Sequence, residues 1–146
     1  MIEAALKQLE LPEAAYEWLF DVWEAIQLFD DVADGDEIES EVLNRVIWSV
    51  FVRSPRNPFY RANVDALTPV LALQIAKWHA ANSVEDADKA DERSYMWRAG
   101  YYDLVLTVCM LCFGEKIETG KICDALMLYG ETYEEYAKEM KKCLSQ

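Results

Sequence analysis

The side chains best suited to chemistry lie in LFDDVADGDE, residues 28–37, where five of the ten residues are acidic. Asp30, Asp31 and Asp34 form a D-D-x-x-D pattern at the end of an apolar, helix-like run. Carboxylates four residues apart on a helix project from one face, so Asp30 and Asp34 can share a divalent cation. The run is apolar on two sides, so these carboxylates border its buried surface, where a cation relieves their repulsion. The pattern predicts a metal site at Asp30, Asp31 and Asp34, for Mg²⁺ in preference to Ca²⁺.

The same stretch also fits a helix boundary that binds nothing. Acidic residues gather where one helix ends and the next begins, and Asp36 and Glu37 lie near the positive end of the following predicted helix. In that interpretation the acidic residues only cap the helix and keep the protein in solution. How deeply Asp30 and Asp34 are buried distinguishes the two interpretations.

A second acidic cluster, Asp88, Asp91 and Glu92, lies in EDADKADER and is followed by Arg93 and Arg98. A phosphate-bearing ligand needs such cations, because a guanidinium binds phosphate oxygens in pairs. We therefore predict that Arg93 and Arg98 are candidate phosphate-binding residues that assist a magnesium ion. The alternative is that they pair with the acidic surface around them.

Two all-α families hold magnesium through helical carboxylates, and this chain resembles both. The D-D-x-x-D pattern at residues 30–34 is similar to the aspartate-rich motif of isoprenoid synthases, which holds the magnesium ions that bind a diphosphate. The pairs Asp31-x-x-Asp34 and Asp88-x-x-Asp91 are similar to the two carboxylate pairs of small NTP pyrophosphohydrolases, although that family uses mostly Glu at shorter separation. Both resemblances imply magnesium-assisted handling of a phosphate or diphosphate.

Residues 24–42, EAIQLFDDVADGDEIESEV, resemble an EF-hand calcium loop. With Asp30 at loop position 1, Asp34, Gly35 and Glu41 occupy positions 5, 6 and 12, which supply ligands and a turn. The sequence departs from the pattern at Val32, where position 3 needs a ligand oxygen. The resemblance implies Ca²⁺ as the alternative cation.

A broader resemblance covers most of the chain. The segments AIQLFDDVADGD, NPFY, ALTPVLALQIAKW and DERSYMWRAGYYD look like small helical proteins encoded by tailed bacteriophages. This resemblance implies a virus-encoded protein acting in the cytoplasm of a bacterial host. It implies no particular activity and assigns no residue a role.

Helical spacing of apolar residues throughout the chain predicts an all-α fold, a single compact bundle of five to seven helices forming one domain over residues 1–146. Two helix starts are predicted from capping boxes, Asp36 with Glu39 and Thr132 with Glu135. Asp103 is predicted to pair with a buried arginine, Arg98. The predicted helices cover residues 12–33, 39–53, 59–67, 69–81, 88–113 and 116–144, the last divided at Gly130.

The second predicted helix is followed by the clearest predicted loop, Ser54-Pro55-Arg56-Asn57-Pro58, because two prolines interrupt the chain there. Thr68-Pro69 has the form of an N-cap followed by proline at the first helical position, so a new helix is predicted to begin there. Arginines flank the loop at positions 53, 56 and 61. The second helix is predicted to bury one stripe, made of Val42, Val46, Ile47, Val50 and Phe51.

The net charge of −13 argues against nucleic acid and anionic membranes as partners, because both would be repelled. The longest apolar run, residues 104–113, is too short to cross a bilayer, and no secretory signal is visible, so a cytoplasmic location is expected. Cys109 and Cys112 lie in an apolar helix-like segment and are predicted to be free thiols. The two apolar sides of the first long helix favour a homo-oligomer, and the acidic surface could also bind a protein partner.

Two functional hypotheses follow. The first is an acidic cytoplasmic phage accessory protein with a divalent-cation site that binds or processes a phosphate or diphosphate ligand. The second is a non-catalytic interaction protein whose acidic surface binds a host or viral partner. Whether the protein is an enzyme stays open, because His79 is the single histidine and no nucleophile can be paired with it from spacing.

Overall fold

The computed structural model describes the backbone of residues 2–144 and the side chains of residues 2–142. Within that span all regular structure is helical and no strand occurs, so the all-α prediction is confirmed. Six of the described helices have eight or more residues, which is within the predicted range. The α-helices are α1 (Ile2–Lys7), α2 (Glu13–Asp34), α3 (Ser40–Trp48), α4 (Ser54–Arg56), α5 (Pro58–Asp86), α6 (Glu92–Trp97), α7 (Gly100–Phe113), α8 (Thr119–Leu126) and α9 (Tyr133–Leu144).

Two short helical turns of other types join these elements. A π-helical turn, Ser49–Arg53, links α3 to α4, and a 3₁₀ turn, Gly114–Lys116, follows α7. In the part of the chain that the structure describes, no helix combines the length and the apolar character that a membrane span requires. The chain divides into two compact units, Met1–Asp65 and Ala66–Gln146, and that it forms a single domain stays a prediction.

The first unit is built around α2. Trp18 and Leu19 of this helix are fully buried, and the Trp18 ring stacks on Tyr60 with 5.2 Å between centroids. The helix ends at Gly35, whose φ of 78° is the left-handed conformation that glycine adopts without strain. The helix predicted over residues 12–33 thus extends one residue further, to Asp34.

Helix α3 packs on α2 through only part of the predicted stripe, Val42 and Val46. Val46 is buried against Ala25 and Leu28 of α2, but Phe51 is 75% exposed, and Ile47 and Val50 are also exposed. The predicted burial of those last three side chains is wrong. A helix that is apolar on more than one side has several stripes with the same period, so periodicity alone does not select the one that is buried.

The start of α3 also differs from the prediction. Its N-cap residue is Glu39, whose side chain makes no capping hydrogen bond, so the predicted capping box of Asp36 with Glu39 is wrong.

Ser49 contributes to the buried side of the following π-helical turn, and its hydroxyl donates to the carbonyl of Val46 at 3.0 Å. That local bond satisfies the buried hydroxyl.

The predicted loop at residues 54–58 is mostly helical. Only Asn57 is extended, and its side chain joins two helices by accepting from the backbone N–H of Tyr60 at 3.0 Å and donating to the carbonyl of Ala14 at 2.8 Å. The predicted division at Thr68-Pro69 is wrong, because α5 continues through Pro69. Proline has no N–H, so the helix gives up one backbone hydrogen bond in order to stay continuous.

In the second unit, the predicted helix over residues 88–113 is two helices, α6 and α7, separated at Arg98 and Ala99. The core of this unit includes Leu104 of α7, which is fully buried, and α7 packs on α8. A Cβ added to Gly100 would lie 2.9 Å from Cγ of Gln74, so only glycine allows α7 to approach α5 so closely.

Helix α9 begins as predicted from its capping box. The backbone N–H of Thr132 donates to Oε2 of Glu135 at 2.9 Å, and the backbone N–H of Glu135 donates to Oγ1 of Thr132 at 3.2 Å. Two backbone N–H groups that the helix cannot satisfy thereby gain acceptors. This predicted helix start is confirmed.

Candidate functional site

The last turns of α2 form a surface that we call the acidic end of α2, made of Phe29, Asp30, Asp31, Val32 and Asp34. Asp30 is half-buried, whereas Asp31 and Asp34 are exposed. Among the described residues, no group of three or more His, Cys, Asp or Glu side chains is placed to hold a metal ion. The cation site at the three aspartates therefore stays a prediction.

The acidic end of α2 also carries exposed apolar side chains. Phe29 is 53% exposed and Val32 is 60% exposed. The buried positions near this end are Ala25 and Leu28, which pack on α3. Phe29 and Val32 therefore remain accessible among the carboxylates.

The second acidic cluster belongs to the start of α6 in the other unit. Asp91 is the N-cap of α6 and forms a capping box with Ser94, while the Arg93 guanidinium binds the Asp91 carboxylate at 2.7 Å. Hydrogen bonds from Arg93 hold the pKa of Asp91 below its usual value. Asp88 has a left-handed backbone, with φ of 59°, in the link before the helix, and Glu92 is exposed. Asp91 and Arg93 thus organise a helix start.

Arg98 is part of a polar network inside the second unit. Its Nε donates to Oε2 of Glu85 at 2.9 Å, and its guanidinium also donates to Oδ1 of Asn82. Asp103 instead binds Lys77 at 3.1 Å, so the predicted pair of Arg98 with Asp103 is wrong. Each of the two predicted phosphate-binding arginines thus has a carboxylate partner, Asp91 for Arg93 and Glu85 for Arg98. Phosphate binding stays a prediction.

The network around Arg98 extends to α9 through two buried hydroxyls. The Tyr136 hydroxyl lies 2.9 Å from Oε2 of Glu85 and 2.6 Å from Oγ of Ser94. Both Ser94 and Tyr136 are buried, and burial raises the pKa of Tyr136 to about 12. At neutral pH this phenol is a hydrogen-bond donor, which suits a structural contact between helices.

Stacked tyrosines surround this network. Tyr95 and Tyr129 stack with 5.2 Å between ring centroids, and the Tyr129 hydroxyl donates to the carbonyl of Tyr95 at 3.3 Å. Burial raises the pKa values of Tyr102 and Tyr129, so these phenols are also protonated at neutral pH. The cluster packs α6 and α7 against the chain that leads into α9.

The first unit contains a cavity of about 510 Å³ beside the π-helical turn. On one side, Arg53 donates two hydrogen bonds to the Asp21 carboxylate, at 3.1 and 3.2 Å. Arg56 is exposed and has no ion-pair partner within the described residues. In the sequence these arginines only flank the predicted loop. The aromatic and polar lining of the cavity includes Tyr16, Phe20, Asp21, Arg53, Arg56 and Asn57.

The structure exposes a surface that was not predicted, which we call the outer face of α3. Three of its members, Ile47, Val50 and Phe51, were predicted to be buried, and the signal that could have identified the surface is charge. Residues 42–64 contain four arginines and no acidic residue, in a chain with 27 acidic residues. The outer face consists of Leu43, Ile47, Trp48, Val50 and Phe51, all of them exposed.

The cysteines match the predicted free thiols where their side chains are described. Cys109 is buried and free, and burial raises the pKa of its thiol to about 11. Cys112 is half-buried and Cys123 is exposed, and both are free. Cys143 lies outside the described side chains. A protonated, buried thiol such as Cys109 is a packing group and a poor nucleophile.

No protein-family model matches this chain, and no curated protein or solved structure matches it either. The resemblances to phage proteins, isoprenoid synthases, NTP pyrophosphohydrolases and EF-hands therefore remain expectations.

Proposed function

We propose that this protein is a non-catalytic interaction protein that binds a basic partner protein at the acidic end of α2. The observation that carries the proposal is the exposure of Phe29 and Val32, at 53% and 60%, among three carboxylates. A single exposed apolar residue is ordinary on a protein surface. A phenylalanine and a valine one turn apart, with aspartates beside them, are a surface that a basic amphipathic segment can cover.

The two kinds of side chain have different roles in this proposal. Burial of Phe29 and Val32 supplies binding free energy at about 25 cal/mol per Å² of apolar surface. The carboxylates of Asp30, Asp31 and Asp34 speed the encounter with a positively charged partner and repel acidic ones. The net charge of −13 extends that selection over the whole chain. Under the expected resemblance to phage proteins, the proposed partner is a host or viral protein in the bacterial cytoplasm.

A labelled amphipathic helical peptide of leucine and lysine provides a defined probe, with binding measured by fluorescence anisotropy. We expect binding that weakens with added salt, because it depends on charge. Phe29→Ser/Val32→Ser should weaken binding about tenfold or more, as expected when two apolar contacts are lost. Asp31→Asn/Asp34→Asn should weaken it and also reduce its dependence on salt.

The matched control is Glu115→Gln/Asp124→Asn, which removes the same charge at two exposed positions of the second unit. If this control weakens binding as much as Asp31→Asn/Asp34→Asn does, the net charge and not the acidic end of α2 is responsible. If Phe29→Ser/Val32→Ser binds the peptide as well as the wild type, the proposal is wrong. Release of the peptide by millimolar MgCl₂ from the wild type alone would instead favour the predicted cation site.

A further inference from the structure

The outer face of α3 is apolar and has no cover within its own unit. The opposite side of the helix already packs on α2 through Val46, so these exposed side chains are additional to the core. Phe51 is three-quarters exposed and Trp48 is half exposed. The outer face is therefore an apolar surface of which the described residues leave between 44% and 75% of each side chain exposed.

The area of this surface suits the centre of a stable interface. With whole aromatic side chains burying about 150–250 Å² each, the five residues of the outer face expose on the order of 500 Å². The largest exposed apolar patch on a monomeric protein typically covers about 300–600 Å² and is often functional, so the outer face is in the upper part of this range. A standard interface needs about 800 Å² from each partner, roughly 65% of it apolar in its core. The outer face supplies about 500 Å² of that area, which is close to the apolar share of a homodimer interface.

The charge around the outer face selects a second copy of this chain as the occupant. Two chains of charge −13 repel each other, so they can associate only where the surface is locally less acidic. Residues 42–64 are such a segment, because they include four arginines and no acidic residue. The acidic end of α2 has the opposite property, since two copies of it would repel each other.

The order of charges along the helix selects the orientation. Glu39 and Glu41 precede the apolar residues, and Arg53 and Arg56 follow them. Ile47 lies midway between Glu41 and Arg53. An antiparallel pair of copies centred there brings each acidic start beside the basic end of the other copy. A parallel pair would place like charges together, and it would also align the helix dipoles unfavourably.

We propose that the outer face of α3 binds the same face of a second copy, with the two helices antiparallel about a two-fold axis near Ile47. Such an isologous contact is made twice, so each attractive pair also occurs twice. In this register Leu43 of one copy lies beside Phe51 of the other. Glu39 lies opposite Pro55, one residue from Arg56, whose long side chain is exposed and has no ion pair among the described residues of its own chain.

Sedimentation velocity of the full chain over a range of concentrations tests the proposal. The wild type should be a dimer at roughly 100 μM, the range in which a standard interface is occupied. Ile47→Asp places two carboxylates together at the axis, and we expect it to raise the dimer dissociation constant at least 100-fold. The matched control is Ile75→Asp on α5, because Ile75 is 56% exposed and Ile47 is 46% exposed. Ile75→Asp should remain dimeric.

A charge exchange tests the orientation and does not depend on the folding of Ile47→Asp. Glu39→Arg and Arg56→Glu should each weaken the dimer about tenfold, as two surface ion pairs are lost and like charges meet. The double variant Glu39→Arg/Arg56→Glu should restore wild-type dissociation, because each exchanged charge again faces its opposite. A double variant no tighter than the single variants would overturn the antiparallel register.

Two other outcomes overturn the dimer itself. One is a wild-type chain that is monomeric at all concentrations up to roughly 100 μM, the range expected for this interface. The other is dissociation by Ile75→Asp as complete as that caused by Ile47→Asp. The substituted positions differ from those in the peptide assay, so loss of the dimer and loss of peptide binding are separate results.

Discussion

Removal of one hydroxyl, by Tyr136→Phe, tests the network that joins α9 to the rest of the second unit. The hydroxyl groups of Ser94 and Tyr136 have one proton each to donate. The acceptors within reach are the Glu85 carboxylate, the Asp91 carbonyl and the other hydroxyl. Glu85 is the most demanding acceptor because it is charged, so Tyr136 donates to Glu85 and Ser94 donates to Tyr136. The backbone N–H of Asp91 donates in turn to Ser94, which completes a directed chain of hydrogen bonds.

The expected loss of stability is about 2 kcal/mol. A hydrogen bond to a charged group contributes about 1.5–3 kcal/mol and a neutral one about 1 kcal/mol. Ser94 can recover its bond by turning its hydroxyl to the carbonyl of Asp91, which lies 2.9 Å away, so only the bond to Glu85 is fully lost. Glu85 retains Arg98, so no buried charge is left alone. In a chain of this length, 2 kcal/mol lowers the melting temperature by roughly 4–8 °C.

Urea unfolding followed by circular dichroism measures this loss, with Tyr60→Phe as the control. The Tyr60 hydroxyl has no hydrogen-bond partner within the described residues, so its removal should change the free energy of unfolding by less than about 0.5 kcal/mol. Ser94→Ala should cost about 1–2 kcal/mol because it also removes the half of the α6 capping box in which Ser94 accepts from the backbone N–H of Asp91. The double variant should lose less than the sum of the two, by about 0.5–1 kcal/mol. A loss below about 0.5 kcal/mol for Tyr136→Phe, or full additivity, would refute the directed chain.

Four further predictions concern other features of the chain. Because the pKa of Tyr136 is raised from 10.0 to about 12, the unfolded state ionises first, so the free energy of unfolding should fall as the pH rises from 10 to 12. Urea midpoints across that range should fall less in Tyr136→Phe. Pro69→Ala should raise the melting temperature, because it restores a backbone N–H inside α5 and stabilises the fold by about 1–3 kcal/mol. An unchanged melting temperature would contradict the free-energy cost assigned to Pro69. Gln74→Met should stabilise the chain by about 1 kcal/mol, since the buried Oε1 of Gln74 has no hydrogen-bond partner among the described residues. A lower urea midpoint would show that this atom is satisfied. Calorimetric titration with MgCl₂ and CaCl₂ should give heat that Asp30→Asn/Asp34→Asn abolishes, and a silent wild type at about 10 mM metal would end the cation-site prediction.

Some features of the site were within reach of the sequence. The acidic end of α2 was identified from its composition, and the helix predicted over residues 12–33 ends at Asp34, one residue later, with Gly35 as its C-cap. That Phe29 and Val32 stay exposed there could not be predicted, because their helical spacing is the same as that of buried residues. The outer face of α3 was missed for the same reason, although its lack of acidic residues was present in the sequence.

The sequence by itself determined what depends on nearby residues. Helical periodicity determined the all-α fold, and side-chain bonds to neighbouring backbone determined the start of α9 at Thr132 and Glu135. Such contacts span only a few residues, so local chemistry is enough to specify them.

Only the tertiary structure decided which of several equivalent local choices the chain adopts. It selected the Val46 side of α3 for burial, because that side meets Ala25 and Leu28. It paired Arg98 with Glu85, although Asp103 is closer in sequence. A contact between distant residues depends on how whole helices pack, and the free energy gained there exceeds the weak preferences of a short segment.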